Sequence, residues 1–289
     1  SHTLRTLKLV PQSEKPKAVI FFMHGIMQHS RSVELRELQE KFLCEGFVWI
    51  GLDAPGHGLS SRLGDASSLL PGGFIPSLDT YIMDAMNMIM HFLINDEEIR
   101  TLPFVVGAHS MGTVCISCLI PFLQKSFEDR FRGACFSACN VPQNMFCKGR
   151  VRKPSIIVKT VVKILAYIDA EAYSKNKRSL DLTISCRDQS IRSKMMQDPL
   201  RYHKGMLPWG SIRSFITSKQ WLGSPKSIRD IQVPLYISHG EADRTSPYNV
   251  LQSFALYIDS ATSWRHKTLQ ILPGAAHNLF ADPCRDEMF

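Results

Sequence analysis

Three features of the sequence predict an α/β fold, a mostly parallel sheet with helices on both faces and an inserted helical cap. Short β-branched or aromatic runs alternate with stretches of helical periodicity. A serine framed by small residues sits between one such run and an apolar helix. Between Cys139 and Val233 the alternation fails, and a basic stretch without a convincing strand takes its place.

The strand-like runs are Leu4 to Val10, Ala18 to Met23, Phe47 to Leu52, Pro103 to Val106, Gly133 to Ser137, Val233 to Ser238 and Thr268 to Leu272. Helices fill the gaps. Leu35, Leu38 and Phe42 form an apolar stripe that stops at Gly46, a residue suited to a left-handed C-cap. Ile82, Ala85, Met86, Ile89 and Leu93 form another, which reads as a core face and leaves His91 on the solvated side.

The 289 residues are 44% hydrophobic and 21% charged, which excludes disordered, collagen-like and coiled-coil chains. The net charge of +8 is unevenly spread. Residues 143–229 hold 18 Lys plus Arg against 5 Asp plus Glu, a surplus of 13, and the remainder holds 16 against 21, a deficit of 5. The division is therefore a core of residues 1–142 and 230–289 carrying a basic insertion, 143–229, within one domain overall. No zinc-finger, homeodomain or RNA-binding motif accompanies the charge, so nucleic acid is not the expected partner. Cys115 and Cys118 have CxxC spacing without a second pair, and the eight cysteines read as small buried side chains of a reducing compartment. No apolar run approaches the roughly 20 residues that span a bilayer. No signal peptide is visible, and the sequence starts at Ser1 rather than Met, so the native N-terminus is expected to be missing.

The chemistry centres on Gly107-Ala108-His109-Ser110-Met111-Gly112. A strand running into a helix through such a turn is what a nucleophile elbow requires, because only small flanking residues fit the sharp bend that exposes the serine. Ala108 departs from the usual glycine but is still small. His24-Gly25 follows the strand Ala18 to Met23, where a backbone amide can join the amide after the nucleophile in binding an oxyanion. Ile26 and Met111 are the expected donors.

An elbow of this kind takes its acid and then its base from later strand ends. His266 precedes the strand Thr268 to Leu272 and would emerge at the wrong sheet edge; His277 follows it. Asp243 follows the strand Val233 to Ser238 at the correct edge, with Glu241 its close competitor and Asp259 too far along the next helix. The expected triad is Ser110, Asp243 and His277, with Asp243 holding the His277 tautomer that accepts the serine proton.

These motifs resemble the serine-hydrolase branch of the α/β-hydrolase fold that contains monoacylglycerol lipases and lysophospholipases. Also similar are Gln28-His29-Ser30, the run Asp53-Ala54-Pro55-Gly56-His57-Gly58-Leu59-Ser60, and Gln197-Asp198-Pro199-Leu200 before Tyr202-His203 in the insertion. The resemblance spans roughly residues 4 to 282 and implies that the Asp53–Ser60 run shapes a loop near the site, with His57 structural. Gly25-Ile26-Met27 departs from the small residues of many relatives, which would narrow the pocket mouth. The family's first strand is missing before Leu4 and its final helix is cut short after Asp282, as in a trimmed chain.

The resemblance implies hydrolysis of a monoacylglycerol-type ester through an acyl-enzyme, with no metal or other cofactor. A lysophospholipase or broader carboxylesterase is the alternative, and a non-catalytic interaction module of the same fold a further one. An aminopeptidase would need acids in the cap to hold a free amine, and 5 acids among 18 bases disfavour it. Serine at 110 excludes the Asp-nucleophile branch. In the insertion, Pro154 suits a first helical turn. Ile156, Ile157, Val158, Val161, Val162, Ile164, Leu165 and Ile168 leave only Ser155, Lys159 and Lys163 as a polar stripe. That helix reads either as a buried cap or as an interfacial helix facing an anionic membrane. The expected location is cytoplasmic with peripheral membrane contact, the oligomeric state open.

Overall fold

The computed structural model describes residues 4–12, 15–61, 72–139, 155–172, 174, 182–202, 207–217, 231–246 and 266–288. Seven strands form one sheet: β1 (Thr6–Leu9), β2 (Ala18–Met23), β3 (Phe47–Leu52), β4 (Phe104–His109), β5 (Phe131–Ser137), β6 (Leu235–Gly240) and β7 (Lys267–Leu272). Their order is β1-β3-β2-β4-β5-β6-β7, with every pair parallel except β1 on β3. Such a sheet needs helices on both faces, and the sequence supplies them as α1 (Arg36–Cys44), α2 (Leu78–Asn95) and α3 (Met111–Ser126).

The period-two alternation of β2 divides the core. Val19, Phe21 and Met23 face the side of α2 and α3, packing with Tyr81, Ile89, Val114 and Ile120. Ile20 and Phe22 face the other side with Leu35, Leu38, Trp49 and Phe280. Fully burying a Phe or Ile side chain contributes roughly 2 kcal/mol, so neither face can be stripped without loss of the fold. Gly46, at φ +83°, ends α1 as expected. His91 is exposed as expected, and Met86 is half-buried against the core.

The differences from the sequence reading lie at strand ends. β4 runs three residues beyond Val106, because small Gly107 and Ala108 still pair with Cys135 and Phe136 on β5. The bend is thereby confined to Ser110. β6 starts after Pro234, which has no N–H to give the ladder, and extends to Gly240. Cys44 is exposed, contrary to the all-buried reading, although the seven described cysteines are all free thiols.

Between β5 and β6 the described helices are α4 (Ile156–Ile168), α5 (Leu182–Ser185), α6 (Gln189–Gln197) and α7 (Trp209–Thr217). Ser155 caps α4, its hydroxyl accepting from the Val158 N–H at 3.2 Å. Pro154, His203, Asp259 and both ends of the expected insertion lie outside the described residues. Among the described residues no helix is long and apolar enough to cross a membrane.

Candidate active site

Ser110 sits between β4 and α3 with φ 48° and ψ −116°, a conformation that costs a residue bearing a Cβ about 1–3 kcal/mol. Packing holds it there. A Cβ on Gly112 would lie 2.2 Å from the Met23 carbonyl oxygen, so the elbow can close onto β2 only with glycine at that position. Ala108 is tolerated because it is small: fully buried, it packs in the core on the α2 and α3 side with Val106, Met111 and Val114.

The structure brings all three expected side chains into one hydrogen-bonded line. Ser110 Oγ lies 2.8 Å from His277 Nε2, and His277 Nδ1 lies 2.7 Å from Asp243 Oδ2. Each is buried, and each stands just past the C-terminal end of a strand: Ser110 after β4, Asp243 after β6 and His277 after β7. Asp243 Oδ1 accepts the Thr245 and Ser246 N–H groups at 2.7 and 2.9 Å. Burial works against its ionisation, but the charge of His277, its hydrogen bond, nearby His239 and the Ser246 amide win, leaving its pKa below the ordinary value. Glu241 is not brought to His277: it is exposed and accepts the Gly274 N–H at 2.9 Å, tying together the turns after β6 and β7.

Ile26 lines the cleft with Ser110 and His277. Among the described residues its N–H has no acceptor. Met111 is the first residue of α3, where an N–H has no intrahelical acceptor and the helix dipole favours negative charge. The loop after β2 that carries Ile26 is tightly fitted. A Cβ on Gly25 would lie 2.9 Å from Gln28 Oε1 and 3.1 Å from Ser110 Cβ, and Met27 takes a left-handed φ of 64°.

The Asp53–Ser60 run supports the site from behind. Asp53 is fully buried, accepting from Ser30 N–H at 2.7 Å and Leu59 N–H at 2.9 Å, so it fixes the loop after β2 against the loop after β3. His24 accepts the Ala54 N–H at its Nε2, 3.0 Å away, and its Nδ1 is 2.7 Å from the Gly25 carbonyl, an arrangement for the neutral ring. Burial pushes its pKa down to about 4 and that of His57 to about 3. His57 touches the Pro55 carbonyl and the His24 ring, not Ser110, as expected of a structural residue.

Three cleft residues escaped the sequence reading. His109, inside the elbow, packs its ring 5.2 Å from that of His277 and 5.4 Å from Phe280, and burial followed by the charge of His277 drives its pKa well down. Arg201, from the stretch after α6, and Asn278 line the same cleft. Arg201 Nη1 is 2.6 Å from Glu34 Oε1 in a buried ion pair, and no sequence pattern connects residues 167 positions apart. The described cleft holds about 40 Å³, room for a water or so. Among the described residues no group of His, Cys, Asp or Glu is arranged to hold a metal ion.

None of the curated proteins compared with the chain matches it. Its fold is similar to that of a monoacylglycerol lipase from Paleococcus ferrophilus, at 19% identity and a TM-score of 0.70, over 99% of this chain and 95% of the other. It is similar to a soluble variant of monoglyceride lipase from Saccharomyces cerevisiae in complex with a substrate analog (17%, TM-score 0.70, 98% and 87%). A thermostable carboxyl esterase from Bacillus coagulans in complex with glycerol is also similar (19%, TM-score 0.69, 99% and 90%). At such identities the likeness is one of fold. The model of the family described as serine aminopeptidase, S33, matches residues 14–284, nearly the whole length, and the chain therefore belongs to this α/β-hydrolase family.

Proposed function

We propose that the protein is a serine esterase that hydrolyses a monoacylglycerol-type lipid to fatty acid and glycerol. The observation that carries the reading is the continuous line Ser110 Oγ, His277, Asp243, with contacts of 2.8 and 2.7 Å. His277 Nε2 takes the hydroxyl proton as Ser110 Oγ adds to the ester carbonyl carbon, and Asp243 orients the ring and stabilises its charge. The Ile26 and Met111 N–H groups donate to the resulting oxyanion. The C–O bond to the alcohol breaks, and His277 returns its proton to the departing oxygen. A water, deprotonated by His277, then attacks the acyl carbon and frees Ser110.

An ester is favoured over an amino-terminal amide by the cleft itself. A free ammonium group needs a carboxylate, yet the described cleft-lining side chains beyond Ser110 and His277 include Ile26, Met27, Leu182 and Arg201 and no Asp or Glu. Of the described carboxylates behind this lining, Glu34 is engaged by Arg201 and Asp243 by His277. The monoacylglycerol choice draws on the lipases of similar fold and on the apolar face of α4. On that helix Ile156, Ile157 and Ile168 are 80%, 70% and 73% exposed, and only Val162 and Ala166 are buried. With Lys159 and Lys163 beside them, these residues fit the surface of an anionic membrane, where such a substrate resides. In this reading residues 143–229 form the cap over a core of 1–142 and 230–289.

The test pairs the wild-type protein with Ser110→Ala on a panel of monoacylglycerols, lysophospholipids and aminoacyl amides, with labelling by a fluorophosphonate. The expected result is turnover greatest on monoacylglycerols, with both turnover and labelling lost in Ser110→Ala. Retained labelling moves the nucleophile elsewhere, and preference for another arm of the panel replaces the substrate.

A further inference from the structure

The loop that carries the Ile26 N–H is strained and braced at the same time. Met27 holds a left-handed φ of 64°, a conformation that disfavours residues with a side chain, so the loop needs outside support to keep its shape. That support runs through buried polar groups. The Gly25 N–H donates to Gln28 Oε1 at 2.7 Å, Gln28 Nε2 donates to Glu34 Oε1 at 3.0 Å, and Arg201 Nη1 donates to the same oxygen at 2.6 Å. Asn278 Nδ2, next to His277, donates to the same oxygen at 3.4 Å. Glu34, Gln28, Arg201 and Asn278 are all at least nine-tenths buried.

A second contact makes the attachment two-pointed. His29 Nε2 lies 2.8 Å from Asp198 Oδ2, so residues 198 and 201 after α6 grip residues 29 and 34 with opposite polarity. Apolar packing anchors the same stretch: Leu182, Cys186 and Met195 bury against Ala281, with Val33 packed beside them.

We infer that Arg201 is a positioning residue of the reaction, holding the oxyanion loop in register through Glu34 and Gln28 from a segment far away in sequence. The inference rests on the reading of Ser110 and Ile26 given above. Arg201 does not touch the reacting atoms. Its guanidinium fixes the Glu34 carboxylate, the carboxylate fixes the Gln28 amide, and the amide fixes Gly25, whose neighbour supplies the donor. The stretch 198–201 is then a fixed part of the covering layer, and catalysis depends on its staying seated.

Two variants test this in the full chain, on a short soluble ester and with a trifluoromethyl ketone, which adds to the serine as an oxyanion. Gln28→Met cuts the chain of contacts and leaves the ion pair intact. Glu34→Leu with Arg201→Met removes both charges together, so neither is left buried alone. Each should lower kcat by about ten- to a hundredfold, the scale of a donor displaced by a fraction of an ångström to one ångström, and weaken the ketone by a similar factor with KM little changed. Arg201→Lys, which keeps a cation on Glu34, should retain most of the activity. Folded variants with unchanged kcat and ketone affinity, or with KM alone altered, overturn the inference. A wild-type protein that hydrolyses no ester, or a Ser110→Ala variant that still does, overturns the earlier reading instead.

Discussion

Asp243 and His277 meet at 2.7 Å, Oδ2 to Nδ1, although Glu241 lies only two residues earlier on the same turn. The turn decides between them. The Thr245 and Ser246 N–H groups draw Asp243 Oδ1 inward, whereas Glu241 is exposed and accepts from Gly274.

Asp243→Asn should therefore lower kcat on a soluble ester by about 10⁴, as loss of the tautomer-fixing carboxylate does in the analogous serine-protease triad. Glu241→Gln keeps an acceptor for Gly274 and should stay close to wild type. Steady-state kinetics on both variants separate the two carboxylates, and the opposite order would reassign the third member of the line.

Acid should destabilise the fold well above the range where carboxylates protonate. His24 and His57 are buried, with pKa values lowered to about 4 and about 3 from 6.5. Between 6.5 and those values the unfolded chain binds protons that the folded chain refuses, so stability is full above pH 6.5 and falls as pH drops. The slope is on the order of 1 kcal/mol per pH unit for each histidine. Asp53 and Asp243, whose folded pKa values are lowered, add their own loss only below about pH 4. Urea midpoints measured from pH 7.5 down to 4.5 should fall steadily, and less steeply in His57→Gln. A flat profile would show that these rings take up protons alike in the folded and unfolded chain.

The strand segments and the three residues at strand ends were legible in the sequence because each depends on local signals: an apolar run, a small-residue turn, a histidine just after a strand. Ser110, Asp243 and His277 follow from where runs end. The brace around Glu34 has no such signal. Glu34 and Arg201 read as ordinary charges on an amphipathic helix start and in a basic stretch, and only the tertiary fold takes both out of water and sets them 2.6 Å apart. Met27 is equally opaque, since nothing in Gly25-Ile26-Met27 indicates a left-handed residue. His109 lay in plain view inside the elbow, but its place beside His277 depends on Phe280, which packs against it from the chain's far end.

The two expectations for α4, a buried cap helix or one facing a membrane, differ in what its lysines should do. Lys163 is exposed and Lys159 partly so, and around them Ile156, Ile157, Val161, Ile164 and Ile168 present apolar surface. Burying that surface among acyl chains would provide affinity for any bilayer, and the two ammonium groups would add selectivity for anionic headgroups, about 1 kcal/mol each. Lys159→Gln with Lys163→Gln should then reduce partitioning onto phosphatidylserine-containing vesicles by about thirtyfold, the factor that corresponds to about 2 kcal/mol. Partitioning onto phosphatidylcholine alone should change far less, because no surface charge is lost there. Co-sedimentation at two ionic strengths provides the check, since added salt screens the headgroup term and must shrink the difference between variant and wild type. Equal binding of both proteins to anionic vesicles would remove the lysines from membrane recognition and favour a helix that serves only to cover the cleft.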